Sequence, residues 1–432
     1  MIFQPKLCAF IGTLFLASHV MAEPAIAGVN PISLEQAIQQ AIQNDPWLIA
    51  SEQKQAAALS MSEGAAVLPD PKFNVGLMNL PTDTFDLEQE GMTQIQLGVS
   101  QMLPRGDTLK LQSERLRQQG ALMPVQREQR RAQVRLMLSQ LWFDALKASH
   151  SIALIEDNRV LFEQLTDIVS SSYSSTFGKT RQQDLVRAQL ELDRLDDRLV
   201  QLHQQQVSAG QKLAEWLDVT QPPQIETSVP ELALQLPNHD QHLIQHPEVR
   251  QFDQAIRVAD TEVSLAEQKY EPEWMINASY GFRGDDPMGN DRADLFSLGV
   301  SVDVPLFSSK RQDAQVRAET HEVEALKTER LLAIRNLRAR YYTLKAELFQ
   351  QDERLALYEE RLLPGLNQSA EAAINAYTSD DGNFADVVQA RISELNAKLT
   401  VLNIRLERSK KLAELQYLLA GNLLSGRAGE AQ

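Results

Sequence analysis

The sequence predicts a mainly α-helical protein with a transmembrane β-barrel, built from a duplicated unit of helix, β-hairpin and long helical hairpin. Three observations carry this reading. The chain is written twice: Leu97-Gly98-Val99-Ser100 with Pro104 returns as Leu298-Gly299-Val300-Ser301 with Pro305, and Pro46 and Pro71 return at the same spacing as Pro247 and Pro272. Each copy holds two short segments in which apolar residues alternate with small or polar ones, the pattern of a strand with one apolar face. Each copy then runs into a polar helical stretch far too long for one globular domain.

Composition sets the outer bounds. A chain of 432 residues has room for two or three ordinary domains, yet only 6% of it is aromatic. Long stretches rich in Gln, Leu, Ala, Arg and Glu have the profile of extended helices. The formal net charge of -16 argues against a nucleic-acid partner, which would need clustered basic charge.

The first element is a processing segment over 1–22. Lys6 supplies the positive start, Leu7 to Leu16 the short apolar run and Val20-Met21-Ala22 the cleavage site, with Ala25-Ile26-Ala27 a second choice. The apolar run is too short to cross a bilayer. Cys8, the only cysteine, lies in this segment and precedes most of the apolar run, a poor position for lipid attachment. The mature chain is therefore expected to carry no thiol chemistry. No later stretch reads as a transmembrane helix.

The first repeat spans 23–219. Ser33 is the expected N-cap of a helix running to about Leu68, with a break at Pro46, and Pro69-Asp70-Pro71 ends it. A β-hairpin follows at about 72–103: Phe73, Val75 and Leu77, then Ile95, Leu97 and Val99, alternate with polar or small residues. A helical hairpin then occupies about 106–218, with a local kink expected at Gly120 and Pro124. Its turn falls at Thr176-Phe177-Gly178-Lys179, and its second arm carries a heptad seam of Leu185, Ala188, Leu192, Leu195, Leu199 and Leu202.

A proline-rich connector at 220–240 leads to the second repeat at 241–422. A helix from about His242 to Lys269 precedes the second β-hairpin at about 274–304, where Trp274, Ile276, Ala278, Tyr280 and Phe282 face Phe296, Leu298, Val300 and Val302. The second helical hairpin, about 308–420, contains Pro364, turns at Asp380-Asp381-Gly382-Asn383, and has a seam of Val388, Ile392, Leu395, Leu399, Leu402 and Leu406. The residues 423–432 are Gly- and Ala-rich and read as a disordered tail.

Two matched hairpins, apolar on one face and polar on the other, fit a barrel wall with lipid outside and water inside. A membrane sheet leaves no open edge. Four strands cannot close, since small barrels need about eight. Three chains would supply about twelve, within the usual range. Two chains would close at eight strands but leave almost no lumen, so closure argues for a homotrimer in contact with membrane lipid.

Together these features resemble the TolC-like outer-membrane factor family, the exit ducts of tripartite efflux pumps and type I secretion systems. The resemblance rests most specifically on the two helical tips. One reads Tyr173, Gly178, Asp184, Leu185, Ala188, Gln189, and the other Tyr377, Gly382, Asp386, Val387, Val388, Ala390. It implies a trimeric twelve-stranded barrel continued by an α-helical periplasmic tunnel, in the Gram-negative outer membrane with most of the mass in the periplasm. It also implies partners: a periplasmic adaptor protein at the tips and an inner-membrane pump of the resistance-nodulation-division type. The stretches Leu68-Pro69-Asp70-Pro71, Gly76-Leu77-Met78-Asn79-Leu80-Pro81 and Pro104-Arg105-Gly106-Asp107 look more like the heavy-metal efflux branch than the drug or protein exporters. The tips differ in one respect: six positions separate Gly178 from Asp184 but four separate Gly382 from Asp386.

Candidate site residues follow from this reading. Gly178, Asp184, Gly382 and Asp386 mark the periplasmic entrance and the adaptor contact. Three-fold symmetry would turn each aspartate into a carboxylate ring that favours cations; the bland alternative is helix capping. His242 and His246, spaced to share one helical face, are weak metal candidates, as are Met78 and Met92 beside the acidic loop of Asp83, Asp86, Glu88 and Glu90. Solvated polar segments are the bland reading of both. Arg115, Arg117, Arg127, Arg130, Arg131 and Arg135 form a basic stretch, read as a solvated helix face paired with Glu114 and Glu128. No phosphate loop, nucleophile elbow or zincin motif is present, so neither an enzyme nor a cofactor is expected. The expected function is passive export, metal cations first. Drug-like or small organic efflux, a type I secretion duct and a periplasmic helical-hairpin adaptor protein are the alternatives.

Overall fold

A computed structural model of the chain describes residues 31–174, 181–232, 239–379 and 381–420. The expected signal segment, Gly178 with the rest of the first tip turn, and the tail lie outside these residues.

The helix after Ser33 breaks ahead of Pro46, as its sequence suggests. Helix α1 (Leu34–Asn44) begins with a capping box in which Ser33 Oγ accepts from Gln36 N and Gln36 Oε1 accepts from Ser33 N. Asp45 then caps α2 (Pro46–Ala65), whose first residue is the proline. Proline suits that position because its missing N–H would be unpaired anyway. The strands are β1 (Lys72–Met78) and β2 (Gln94–Leu103), and α3 (Thr108–Ser174) follows. Helix α3 passes through Pro124 without interruption and extends about 100 Å. Helix α4 (Gln182–Leu217) returns along it.

The second repeat differs from expectation in two places. The helix expected from His242 to Lys269 splits into α5 (His239–Ile244) and α6 (Pro247–Glu267), because the dipeptide His246-Pro247 repeats the cap-and-proline arrangement of Asp45-Pro46. Strands β3 (Glu273–Phe282) and β4 (Leu295–Asp303) lead into α7 (Ser308–Leu357). A π-helical turn at Tyr358–Leu362 then precedes α8 (Leu363–Thr378). Pro364 explains the turn: in a regular helix its ring would strike the carbonyl four residues earlier, and a wider turn relieves that clash. Helix α9 (Phe384–Leu418) completes the second hairpin.

The four strands form one antiparallel sheet in the order β1-β2-β3-β4. The helices bury three apolar clusters. Ile155, Phe162 and Val169 of α3 meet Ala188, Leu192 and Leu195 of α4 and Val388, Leu395 and Leu399 of α9, so both heptad seams are buried near the tips. A second cluster joins Ile38, Trp142, Phe143, Leu213, Leu217 and Leu406. The third joins Leu243, Val249, Leu337, Tyr341, Leu415 and Leu418. The connector is tied back beside α1, where Ile32 N donates to Gln224 O at 2.9 Å and Glu226 N to Ile32 O at 3.0 Å.

Candidate functional site

The two faces of the sheet differ in chemistry. In register, Phe73 pairs with Val99, Val75 with Leu97 and Leu77 with Ile95; those residues pair onward with Ala278, Tyr280 and Phe282. Leu298, Phe296 and Val300 extend the rows opposite Ala278, Tyr280 and Ile276. One face is therefore apolar across every strand, with Gln101 the exception. The other carries Asn74, Gly98, Ser279 and Ser297 in one row. Nothing among the described residues covers the apolar face: Phe73 is 80% exposed and Phe296 69%. Aromatic residues stand at both ends of it, Phe73 and Trp274 toward the helices, Tyr280, Phe282 and Phe296 toward the loops, as in the girdles of membrane barrels. Strands β2 and β3 have ten residues each, the length that spans a bilayer when tilted. No helix among the described residues is long and apolar enough to cross a membrane.

The loops at the far end are bound together. Arg283 Nη1 donates to Gly91 O at 3.0 Å, and Arg292 Nη1 to Glu90 O at 3.2 Å. Met78 and Met92 stand exposed at the base of the first loop, where Asn79 Nδ2 donates to Met92 O and Thr93 Oγ1 to Asn79 O. Asp86 is used locally, accepting from Glu88 N at 3.0 Å.

The tips place the two aspartates differently. Asp184 is the third residue of α4, is buried, and its Oδ2 accepts from Arg181 N at 3.1 Å. Asp386 holds the same place in α9 but is exposed. It is not the cap: Asn383 is, its Oδ1 accepting from Ala385 N at 3.2 Å. Gly382 is required by a close approach, since a Cβ there would lie 2.7 Å from Tyr377 N. Phe384 is buried next to it, edge-on to Tyr377 at 5.7 Å.

The histidine pair does not come together on one face. His242 lies on α5, its Nδ1 buried and without a partner among the described residues, while His246 caps α6. Both nitrogens of buried His246 are engaged: Nδ1 accepts from Glu248 N at 3.3 Å and Nε2 lies 3.2 Å from Tyr417 O. Burial pushes its pKa down to about 4; the Tyr417 carbonyl opposes this and the charge of Arg340 adds to it. The neutral ring, with its proton on Nε2, fits both contacts. Among the described residues no three His, Cys, Asp or Glu side chains gather into a group able to hold a metal ion.

The basic stretch on α3 meets the expected solvated face only in part: exposed Arg117 pairs with Glu114 of the same helix, while other members reach partners on other helices. Arg115 pairs with Glu262 of α6 and Arg135 with Glu35 of α1. Arg130 binds the buried cap Asp45 at 2.7 Å and sits over the rings of Trp47 and Trp216. Glu128 is held by Arg250. Two buried carboxylates, Asp45 and Glu394, are not among the residues singled out from the sequence. Glu394 on α9 receives Arg391 at 2.7 Å, Lys398 at 2.8 Å and Asn367 at 3.2 Å. Burial alone would raise its pKa, but these donors outweigh burial and lower it. The signal was present as basic residues three before and four after the glutamate.

A sheet with one uncovered apolar face and one small polar face, joined to long helices of which α3 extends about 100 Å, has the surface chemistry of a membrane β-barrel wall. The outer membrane efflux protein family model matches residues 239–421, the second repeat of the chain. No curated protein matches the sequence. Solved structures share the fold over most of both chains. CusC, studied for folding and transmembrane channel formation, is 16% identical with a TM-score of 0.76, covering 89% of this chain and 91% of its own. The outer-membrane channel OprN is 16% identical with a TM-score of 0.75, covering 90% of each. The open-state MtrE outer membrane channel of Neisseria gonorrhoeae is 16% identical with a TM-score of 0.72, covering 90% of this chain and 89% of its own.

Proposed function

We propose that the chain is the exit duct of a tripartite efflux pump in the Gram-negative outer membrane, passively conducting substrate from a periplasmic pump complex to the outside. One observation carries this: the apolar sheet face is uncovered, and both sheet edges, β1 and β4, are open. Lipid is the solvent that suits such a face, and a sheet in lipid must close. Strand β4 runs opposite to β1, so a second copy can continue the antiparallel order, and three copies give about twelve strands. The helices then form the periplasmic tunnel. The tips, with Gly178, Asp184, Gly382 and Asp386, are the entrance and the contact for an adaptor protein, behind which an inner-membrane pump supplies the energy.

The duct is a conduit, not an enzyme. Its buried carboxylates are committed to structure: Asp45 and Asp184 to helix starts, Glu394 to two cations and an amide. Metal cations are the proposed substrate class. Support comes from the heavy-metal-branch look of the turns around the first hairpin and from the exposed Asp386, which three-fold symmetry would repeat around the pore. The test is accumulation of metal ions and of organic dyes in cells with and without the chain. Metal retention in its absence supports the proposal, and retention of dyes alone would reassign the duct to small organic compounds.

A further inference from the structure

The duplication makes the seam between the two repeats a template for a seam that the single chain does not contain. Within the chain, β2 of the first repeat pairs with β3 of the second: Leu103 with Trp274, Gln101 with Ile276, Val99 with Ala278. The turn after β2 docks on the segment before β3. Arg105 Nη1 donates to Glu271 O at 2.9 Å, Asp107 N donates to Gln268 Oε1 at 2.8 Å, and a Cβ on Gly106 would strike Gln268. Each of these residues has a counterpart in the other repeat. Strand β4 corresponds to β2 and β1 to β3, and these are the two open edges.

We propose that β4 of one copy of this chain pairs with β1 of a second in the register Val304–Phe73, Val302–Val75 and Val300–Leu77, with Leu306 and Phe307 seated on the second copy's Val67 and Leu68. The proposal rests on the barrel reading above and assigns its missing interface. The three strand pairs place apolar residues opposite apolar residues, so the lipid-facing stripe continues unbroken. Where the internal seam uses Gln101, Arg105, Gly106, Gln268 and Lys269, the open edges carry Val302, Leu306, Phe307, Val67 and Leu68. The polar version sits between parts already joined by the chain. The apolar version faces a partner that must be recruited, where burial of apolar surface is the driving force. These side chains are unused in the single chain: Phe307 is 90% exposed, Leu306 77% and Val67 64%.

The register is a definite choice, because the two hairpins differ by one pleat: Phe73 pairs with Val99, whereas Trp274 pairs with Val302. Disulfide mapping resolves it. The proposal puts Ser301 opposite the second copy's Gly76 on the polar face, and a side chain at Gly76 meets nothing within 4 Å. Directly opposed Cα atoms lie about 4.5–5.5 Å apart, within disulfide range, while partners two residues off lie about 7–8 Å away. In full-length protein with Cys8 replaced by serine, the pair Gly76→Cys and Ser301→Cys should give reducible dimer and trimer bands on oxidation. Neither single variant should give trimers, and the slipped pairs Asn74→Cys or Met78→Cys with Ser301→Cys should cross-link at least tenfold less. Leu306→Ser with Phe307→Ser should lose most of the oligomer in mild detergent, and Phe307→Leu should keep it. Stronger cross-linking by a slipped pair would overturn the register. Intact conducting oligomers that none of the pairs cross-links would overturn the interface and leave the duct reading standing. A protein that neither oligomerises nor conducts would overturn the duct reading and the interface with it.

Discussion

At the scale of single residues, the duplicated cap positions show one fold served by different chemistry. Asp45 and His246 hold corresponding places ahead of Pro46 and Pro247, and each accepts a backbone N–H at the start of its helix. Asp45 is paired with Arg130. His246 is neutral and has Arg340 nearby, which opposes its protonation. Because its folded pKa lies near 4 and its ordinary value near 6.5, the unfolded chain binds the extra proton first as pH falls. The stability contribution is complete above about pH 6.5 and is lost progressively toward pH 4, by up to about 3 kcal/mol. Denaturant melts at pH 7.5 and pH 4.5 check this: His246→Asn, which keeps a neutral acceptor, should remove much of the difference. A second residue-scale prediction separates the aspartates. Asp184→Asn should cost about 1 kcal/mol at the start of α4, measurable by hydrogen exchange, while Asp386→Asn should cost little. If the proposed ring is formed, Asp386→Asn should instead lower cation preference, read as a shift in reversal potential; an unchanged potential counts against the ring.

At the scale of elements, the strands and heptads were legible because their periods are set by the surfaces they meet. Phe73, Val75 and Leu77 alternate because one face is apolar across the sheet, and Leu192, Leu195 and Leu199 recur because α4 buries one stripe against α3 and α9. The caps and interruptions were less legible. His246-Pro247 has the same form as Asp45-Pro46, yet a histidine cap is uncommon, and spacing alone suggested one continuous helix with a shared His242–His246 face. Asn383 and Asp386 both follow the turn closely enough to cap α9 on sequence grounds, and only the fold puts the cap at Asn383. Pro364 was visible, but a π-helical turn is a three-dimensional remedy that spacing does not announce. The seams yield a quantitative expectation. Leu195→Ala or Leu395→Ala removes a buried side chain from the tip cluster and should cost about 2–5 kcal/mol, seen as faster proteolysis near the tips with the sheet unaffected.

At the scale of the whole molecule, the central fact is incompleteness. The chain presents an apolar face without a cover, two sheet edges without partners, and helices longer than any one domain requires. Under the proposed function, repetition of the same chain answers the first two when lipid surrounds the sheet, and the helices would continue the barrel as a tunnel. The sequence carried this much through its duplication and its alternating strands. It carried less about the register between copies, which becomes readable only once β2 and β3 are seen paired. The most direct measurement is single-channel recording of the purified protein in a planar bilayer, without adaptor or pump. Discrete conductance steps from a detergent-stable trimer are the predicted result. A water-soluble protein that does not insert, or inserts without conducting, would contradict the account and favour a periplasmic helical-hairpin adaptor.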